Sequence, residues 1–182
     1  MTARAVATPV RAKRGTQAES SIKSALARAV SLDPNAKGSA EEFFVLVFTM
    51  SPSERVEITK RGLPATFVSR IAKATGAPKA RMISLLGLSR ATVDRKAHAK
   101  QSLSVVESER VLGLARLVGQ VQAMINESGD PAGFDAARWV AGWLERPVPA
   151  LGGRRPGEFM DTAEGQQLVS DLLARARSGA FA

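Results

Sequence analysis

The sequence predicts a mainly α-helical chain: a helix-turn-helix unit followed by a small all-helical domain, with a short strand near 43–48. Three observations predict it. Two consecutive segments, 64–76 and 78–87, each open on proline and close on glycine, the asymmetry of helix starts and stops. Ser104 with Glu107, and Asp161 with Glu164, have the spacing of capping boxes. Between such signals the apolar residues recur at helical spacing. With 182 residues and 45% hydrophobic content, the chain has apolar surface enough for one or two small cores.

Residues 1–38 mix Ala, Ser, Thr, Pro, Lys and Arg, and read as a basic arm lacking a packed core, with a helical turn or two at 21–30 and a loop signal, DPNAKGS, at 33–39. FFVLVF at 43–48 fits either a strand or a buried helix, because short apolar runs do not decide between them; the strand is taken here. Ser51 or Ser53 caps a short helix through Arg61, with Pro52 in its first turn, and residues 39–61 form an extension before the patterned middle.

That middle, 62–103, holds three helices. The first places Phe67, Val68, Ile71 and Ala74 on one face and ends at Gly76; the second places Met82, Ile83, Leu85 and Leu86 inward and ends at Gly87. Ser89 caps a third, with Val93 directed inward. Only Gly87, Leu88 and Ser89 separate the second from the third, the short glycine turn of a helix-turn-helix whose last helix faces a DNA groove. On it Ser89, Arg90, Thr92, Arg95 and Lys96 are polar, and Lys79 and Arg81 stand ready for the phosphate backbone. A small structural bundle with a glycine-turned helix pair has the same pattern. His98 reads as a loop or phosphate-side residue.

Ser104 and Glu107 open a long helix to about Asn126, apolar on more than one side, which is central to a domain or lines a dimer interface. A further helix carries Trp139 and Trp143, four apart and thus on one face, as core or dimer anchors. After the proline-rich turn PVPALGG and a short helical piece from Pro156, Asp161 and Glu164 cap a final helix with Leu168, Val169, Leu172, Leu173 and Ala176 as its apolar stripe. Arg175 and Arg177 suit the negative end of its dipole, and Gly179 stops it. Phe181 then either folds back on the domain or enters a cavity of another molecule.

Composition narrows the function. Without cysteine there are no thiolate sites, and a single histidine leaves little for metal or Ser-His-Asp chemistry, so the expectation is a non-enzyme without metal or cofactor. No apolar run is long enough for a bilayer and the basic start lacks an apolar signal region, which predicts a soluble cytoplasmic protein. The net charge of +9 is segregated: +5 over 1–40, −1 over 41–61, +7 over 62–103 and −2 over 104–182. A polyanion-binding unit joined to a neutral one gives this distribution, as does a solvated basic face.

The stretches LLGLSRATVDRK, ESERVLGLARL and WLERPVPALGGRRPGEFMDTAEGQQLVSDLLARARSGAFA resemble the Xre antitoxins paired with RES-domain toxins, also called the MbcA/ParS group. The resemblance runs from about Ser51 to Ala182; ALGGRRPGEFMDT and LLARARSGAFA are its most specific pieces, and the first 40 residues fall outside it. It implies a non-enzymatic antitoxin of a type II pair, whose helix-turn-helix represses its own operon and whose 104–182 domain binds a RES-domain toxin with an ADP-ribosyltransferase-like fold. The terminal helix and tail would block that toxin's NAD pocket, and Arg175, Arg177, Ser178, Gly179, Ala180, Phe181 and Ala182 match the family's terminal motif. Implied partners are the toxin, operator DNA and a second copy of the chain. The alternative is a stand-alone helix-turn-helix regulator whose C-terminal domain dimerises or senses a ligand.

Overall fold

A computed structural model describes residues 39–129 and 133–177. The arm at 1–38, with the turns expected at 21–30, lies outside the described residues, as do Ser178, Gly179, Ala180, Phe181 and Ala182.

The strand expected near 43–48 is corrected to the middle of a helix, α1 (Ser39–Thr49). Phe43, Phe44, Val47 and Met50 are all buried, a spacing that one helical face supplies and that the alternation of a strand does not. Among the described residues the only bridge pairing is the isolated contact of Pro64 with Ser102, so an extended segment would have no ladder to join. Glu41 and Glu42 favour the helix start through its dipole.

Ser51 caps α2 (Pro52–Arg61) in a full capping box with Glu54. Then come α3 (Thr66–Thr75), α4 (Lys79–Leu85) and α5 (Arg90–His98), the three helices expected of the middle segment. Ser104 and Glu107 form the second capping box at the head of α6 (Val105–Ser128), and Asp135 caps α7 (Ala136–Leu144). Two 3-10 turns, Pro149–Leu151 and Pro156–Phe159, lead to α8 (Ala163–Arg177).

Helix α6 is the axis of the molecule. It packs against α1, α2, α3, α7 and α8, and Val111, Leu114, Ala115 and Val118 along it are almost completely buried. The crossing with α1 is tight because position 119 is glycine: a Cβ there would collide with the carbonyl oxygen of Phe44 and the side chain of Phe48. α7 packs on α3 as well as α6, so one continuous core joins the middle segment to the C-terminal half.

Two expectations for the C-terminal half are corrected. Helix α8 is capped by Thr162 and not Asp161: the Gly165 N–H donates to Thr162 Oγ1 at 3.1 Å and the Gln166 N–H to the Thr162 carbonyl at 3.0 Å. The buried stripe is also narrower than expected: Val169, Leu172 and Leu173 are inside while Leu168 is 46% exposed and Ala176 lies at the surface. Gln166 and Ser170 complete the inward face. Of the two tryptophans expected as core or dimer anchors, Trp143 packs half-buried against the core and Trp139 is 40% exposed.

Candidate nucleic-acid interface and C-terminal helix

The turn between α4 and α5 is built from the backbone. Leu88 N–H donates to the Ile83 carbonyl at 2.9 Å and Gly87 N–H to the Ser84 carbonyl at 3.0 Å, the paired bonds of a Schellman stop. Gly87 adopts φ 59°, which only glycine takes readily. Ser89 Oγ then accepts from the Thr92 N–H at 3.4 Å and opens α5. From outside the unit, Arg110 of α6 donates to the Gly87 carbonyl at 2.8 Å, and Asp161 lies directly against Gly87. The turn is thus buttressed by the C-terminal half.

Around α5, Val93 is fully buried and anchors the helix, while Arg90, Ala91, Arg95, His98 and Ser89 are exposed and Thr92 is half-buried. At 100° per residue, Ala91, Arg95 and His98 make up the face opposite Val93. Arg90 stands to one side, 76% exposed, with Asp94 at 3.7 Å. Arg95 has no ion-pair partner among the described residues. Ala91 was not among the expected contacts, because sequence reading ranked hydrogen-bonding capacity, and His98, expected as a loop or phosphate-side residue, is the last residue of α5; the place of both on the outward face is fixed only once Val93 sets which way α5 is turned.

The other expected cations are held by carboxylates. Lys79 Nζ lies 2.7 Å from Asp94 Oδ1, tying the start of α4 to α5, and this hydrogen bond holds the Asp94 carboxyl below its ordinary range. Arg81 grips Glu145 with two nitrogens, Nε to Oε1 at 2.6 Å and Nη2 to Oε2 at 2.5 Å, which raises the guanidinium pKa. Since Glu145 directly succeeds α7, this fork joins the helix-turn-helix to the C-terminal half. Lys96 turns inward, its Nζ 2.5 Å from Glu107 Oε2 with both side chains 15% exposed. Of the seven expected DNA contacts, then, Arg95 lies on the open face, Ser89 and Arg90 are exposed beside it, Thr92 is half-buried, and Lys79, Arg81 and Lys96 face internal partners.

Glu107 has two roles at once, capping α6 through the Ser104 N–H at 2.7 Å and pairing with Lys96. Burial pushes its carboxyl up, but the Lys96 hydrogen bond and the Ser104 contacts outweigh that and lower the pKa overall. A lowered pKa in the folded state means that the contribution is complete above the ordinary glutamate value and is lost as pH falls through the lowered one. Glu107→Gln should therefore cost about 1 kcal/mol at neutral pH, from the lost charge-assisted bonds. In urea titrations the gap between variant and parent should close as pH drops below 4 or so; a gap constant from neutral to acid pH would contradict the ion-pair assignment.

At the other end, α8 is clamped along α6. The Gln166 amide donates to the carbonyls of Arg110 at 3.0 Å and Met160 at 2.8 Å, filling the space that glycine leaves at position 113. Gln120 donates to the Ser170 carbonyl at 3.0 Å while Ser170 Oγ donates back to Gln120 Oε1 at 2.7 Å. No fully buried side-chain N or O atom among the described residues lacks a hydrogen-bond partner, so the clamps add specificity without orphaned atoms. Sequence periodicity missed them, since a lone Gln in an apolar run has no signature of its own. Arg175 is exposed near the end of α8 and Arg177 is its last residue. Among the described residues no group of His, Cys, Asp and Glu is arranged to hold a metal ion, and no helix is long and apolar enough to cross a membrane.

Two family models match this architecture in order. Residues 54–116 match the antitoxin Xre-like helix-turn-helix domain, and residues 132–179 match the antitoxin Xre/MbcA/ParS C-terminal toxin-binding domain. The chain is 44% identical over 146 residues to the Prs ADP-ribosylating antitoxin of Sphingobium sp. (strain YBL2), covering 80% of this chain and 92% of that one. It is 26% identical over 122 residues to the antitoxin Xre of Photorhabdus laumondii, covering 67% of this chain and 77% of that one. It is 27% identical over 126 residues to the antitoxin Xre of Yersinia enterocolitica, covering 69% and 80%. With a helix-turn-helix, a toxin-binding domain behind it and a relative aligned over nearly its whole length, the chain belongs to the Xre/MbcA/ParS family of antitoxins.

Proposed function

We propose that this antitoxin neutralises an NAD-using RES-domain toxin by inserting its C-terminal tail into the toxin's NAD pocket, and that as a dimer it represses its own operon through α5. Residues 62–103 are the DNA-binding unit and 104–182 the toxin-binding unit. On the DNA side, Arg95 reads a base edge with Ala91 and His98 beside it, and Ser89, Arg90 and Thr92 complete the groove contact; Lys79, Arg81 and Lys96 reach phosphate only by leaving their carboxylates.

One observation carries the occlusion reading: α8 is fixed to α6 by the reciprocal Gln120–Ser170 pair and by the Gln166 amide on the Arg110 carbonyl, starts on the Thr162 cap, and ends at Arg177, immediately before the tail. A segment delivered from so rigid a base loses little entropy on docking. The tail itself, Ser178, Gly179, Ala180, Phe181 and Ala182, is slim apart from one ring, and Arg175 and Arg177 place positive charge at the rim. A pocket shaped for a dinucleotide admits such a chain and, once filled, excludes NAD. The name of the Sphingobium relative links that protein to ADP-ribosylation, a reaction that consumes NAD.

The test is deletion of residues 179–182. The truncated antitoxin should melt at the parent temperature and shift operator DNA as before, yet leave the co-expressed toxin able to consume NAD and arrest growth. Full inhibition by the truncated protein would reject the tail as the blocking element.

A further inference from the structure

Helix α7 has an exposed face that nothing in the described chain accounts for. It buries Ala136, Ala137, Val140 and Leu144, while Trp139, Gly142 and Trp143 lie together on the other side, with the exposed Asp135 at its N-cap and the exposed Arg146 just past its C-cap. The two indoles stack with centroids 5.9 Å apart and planes 8° from parallel, and Phe134 lies 6.2 Å from Trp139. Trp143 and Phe134 are half-covered by the core edge; Trp139 stands clear of it. Tryptophan and arginine are the residues in which binding energy concentrates at protein interfaces, and leaving an indole in water forgoes that burial.

Gly142 is the second observation. The other glycines inside the described α-helices, Gly113, Gly119 and Gly165, are each forced by a neighbour that a Cβ would strike: Gln166, Phe44 and the Phe159 carbonyl. At Gly142 a Cβ would meet nothing within 4 Å. Glycine weakens a helix interior, and here no contact within the chain requires it. A partner surface seated on this face supplies such a requirement.

The face is complementary to itself. Reading along α7 it presents an acid, an indole, a glycine, an indole and a cation, and the midpoints of Asp135 with Arg146 and of Trp139 with Trp143 both fall near residue 141. A two-fold axis crossing there sets the helix antiparallel to its copy, Trp139 against the partner subunit's Trp143 and Arg146 against the partner subunit's Asp135, with the indoles seated over the glycines. Arg146 has no ion-pair partner among the described residues, and Asp135 is shared only with the exposed Arg138 at 3.2 Å. α7 also rests on α3, and Glu145 holds Arg81 of α4, so the face is joined directly to the helix-turn-helix.

We infer that the Trp139, Gly142 and Trp143 face of α7, with Asp135 and Arg146 at its two ends, is the homodimer interface, crossed antiparallel by its symmetry mate. This rests on the dimeric reading above and adds which surface makes it. Sedimentation velocity of the full-length protein across micromolar concentrations tests it with Gly142→Glu, a better helix former that fits the free chain but fills the space the partner needs, together with Trp139→Ala and Arg146→Glu. The parent should sediment as a dimer, and each variant should weaken dimerisation by about tenfold or more, with helix content by circular dichroism unchanged. A dimeric parent whose Gly142→Glu variant associates equally well places the interface elsewhere and overturns the inference while leaving the dimeric reading standing. A monomeric parent overturns both. A Gly142→Glu protein that stays dimeric and loses its hold on the toxin gives the face to the toxin, which also overturns the inference.

Discussion

Arg95→Ala should weaken binding to DNA from the gene's own upstream region by roughly ten- to a hundredfold, the effect of about 1–3 kcal/mol for a lost bidentate base contact. The expectation rests on where α5 is turned. Val93 faces the core, Arg95 occupies the opposite side with Ala91 and His98, and no carboxylate among the described residues competes for its guanidinium. The loss should depend on sequence: DNA with the read base changed should bind parent and variant alike, whereas a phosphate contact would weaken binding to every sequence equally. Mobility shifts with the upstream fragment and with a mutated set distinguish the two. Equal affinity of parent and variant for the native fragment would remove Arg95 from the interface.

Gly119→Leu should destabilise the protein by more than about 3 kcal/mol, the range of overpacking and strain at a site that cannot yield. The obstacle is backbone: the first carbon of any side chain at 119 would lie on the carbonyl of Phe44, so α1 would have to lift from α6 and expose Phe43, Phe44 and Val47. For a chain of this size the melting temperature should fall by about 6–12 °C or more. Function should fail at both ends together, because α6 holds the recognition turn through Arg110 and the terminal helix through Gln120 and Gln166. A variant with an unchanged melt would mean that α1 and α6 do not approach so closely.

These two sites were unequally legible. The glycine turn from Gly87 to Ser89, the capping boxes at Ser51 and Ser104 and the stop at Gly76 are local devices: donors, acceptors and left-handed positions lie within a few residues of each other and can be read in order. Arg95 was named from the same kind of evidence. Its companion Ala91 was not, and His98 was read only as a loop or phosphate-side residue, since outwardness depends on a core that other helices supply. Lys79, Arg81 and Lys96 looked like phosphate ligands because their carboxylates, Asp94, Glu145 and Glu107, are 15, 64 and 11 residues away.

By itself the sequence determined the helical class, the helix-turn-helix and its order before a second helical unit, the segregation of positive charge, and the resemblance that the family models bear out. Only the tertiary structure decided that 43–48 is a helix, that Thr162 starts α8, that Gly119 is a contact point and that Trp139 faces outward. The physical reason is one of range. Caps, turns and periodic stripes are settled by neighbours along the chain, whereas the choice between strand and helix in a short apolar run, and the side to which a side chain turns, are settled by surfaces brought together only when the chain closes on itself.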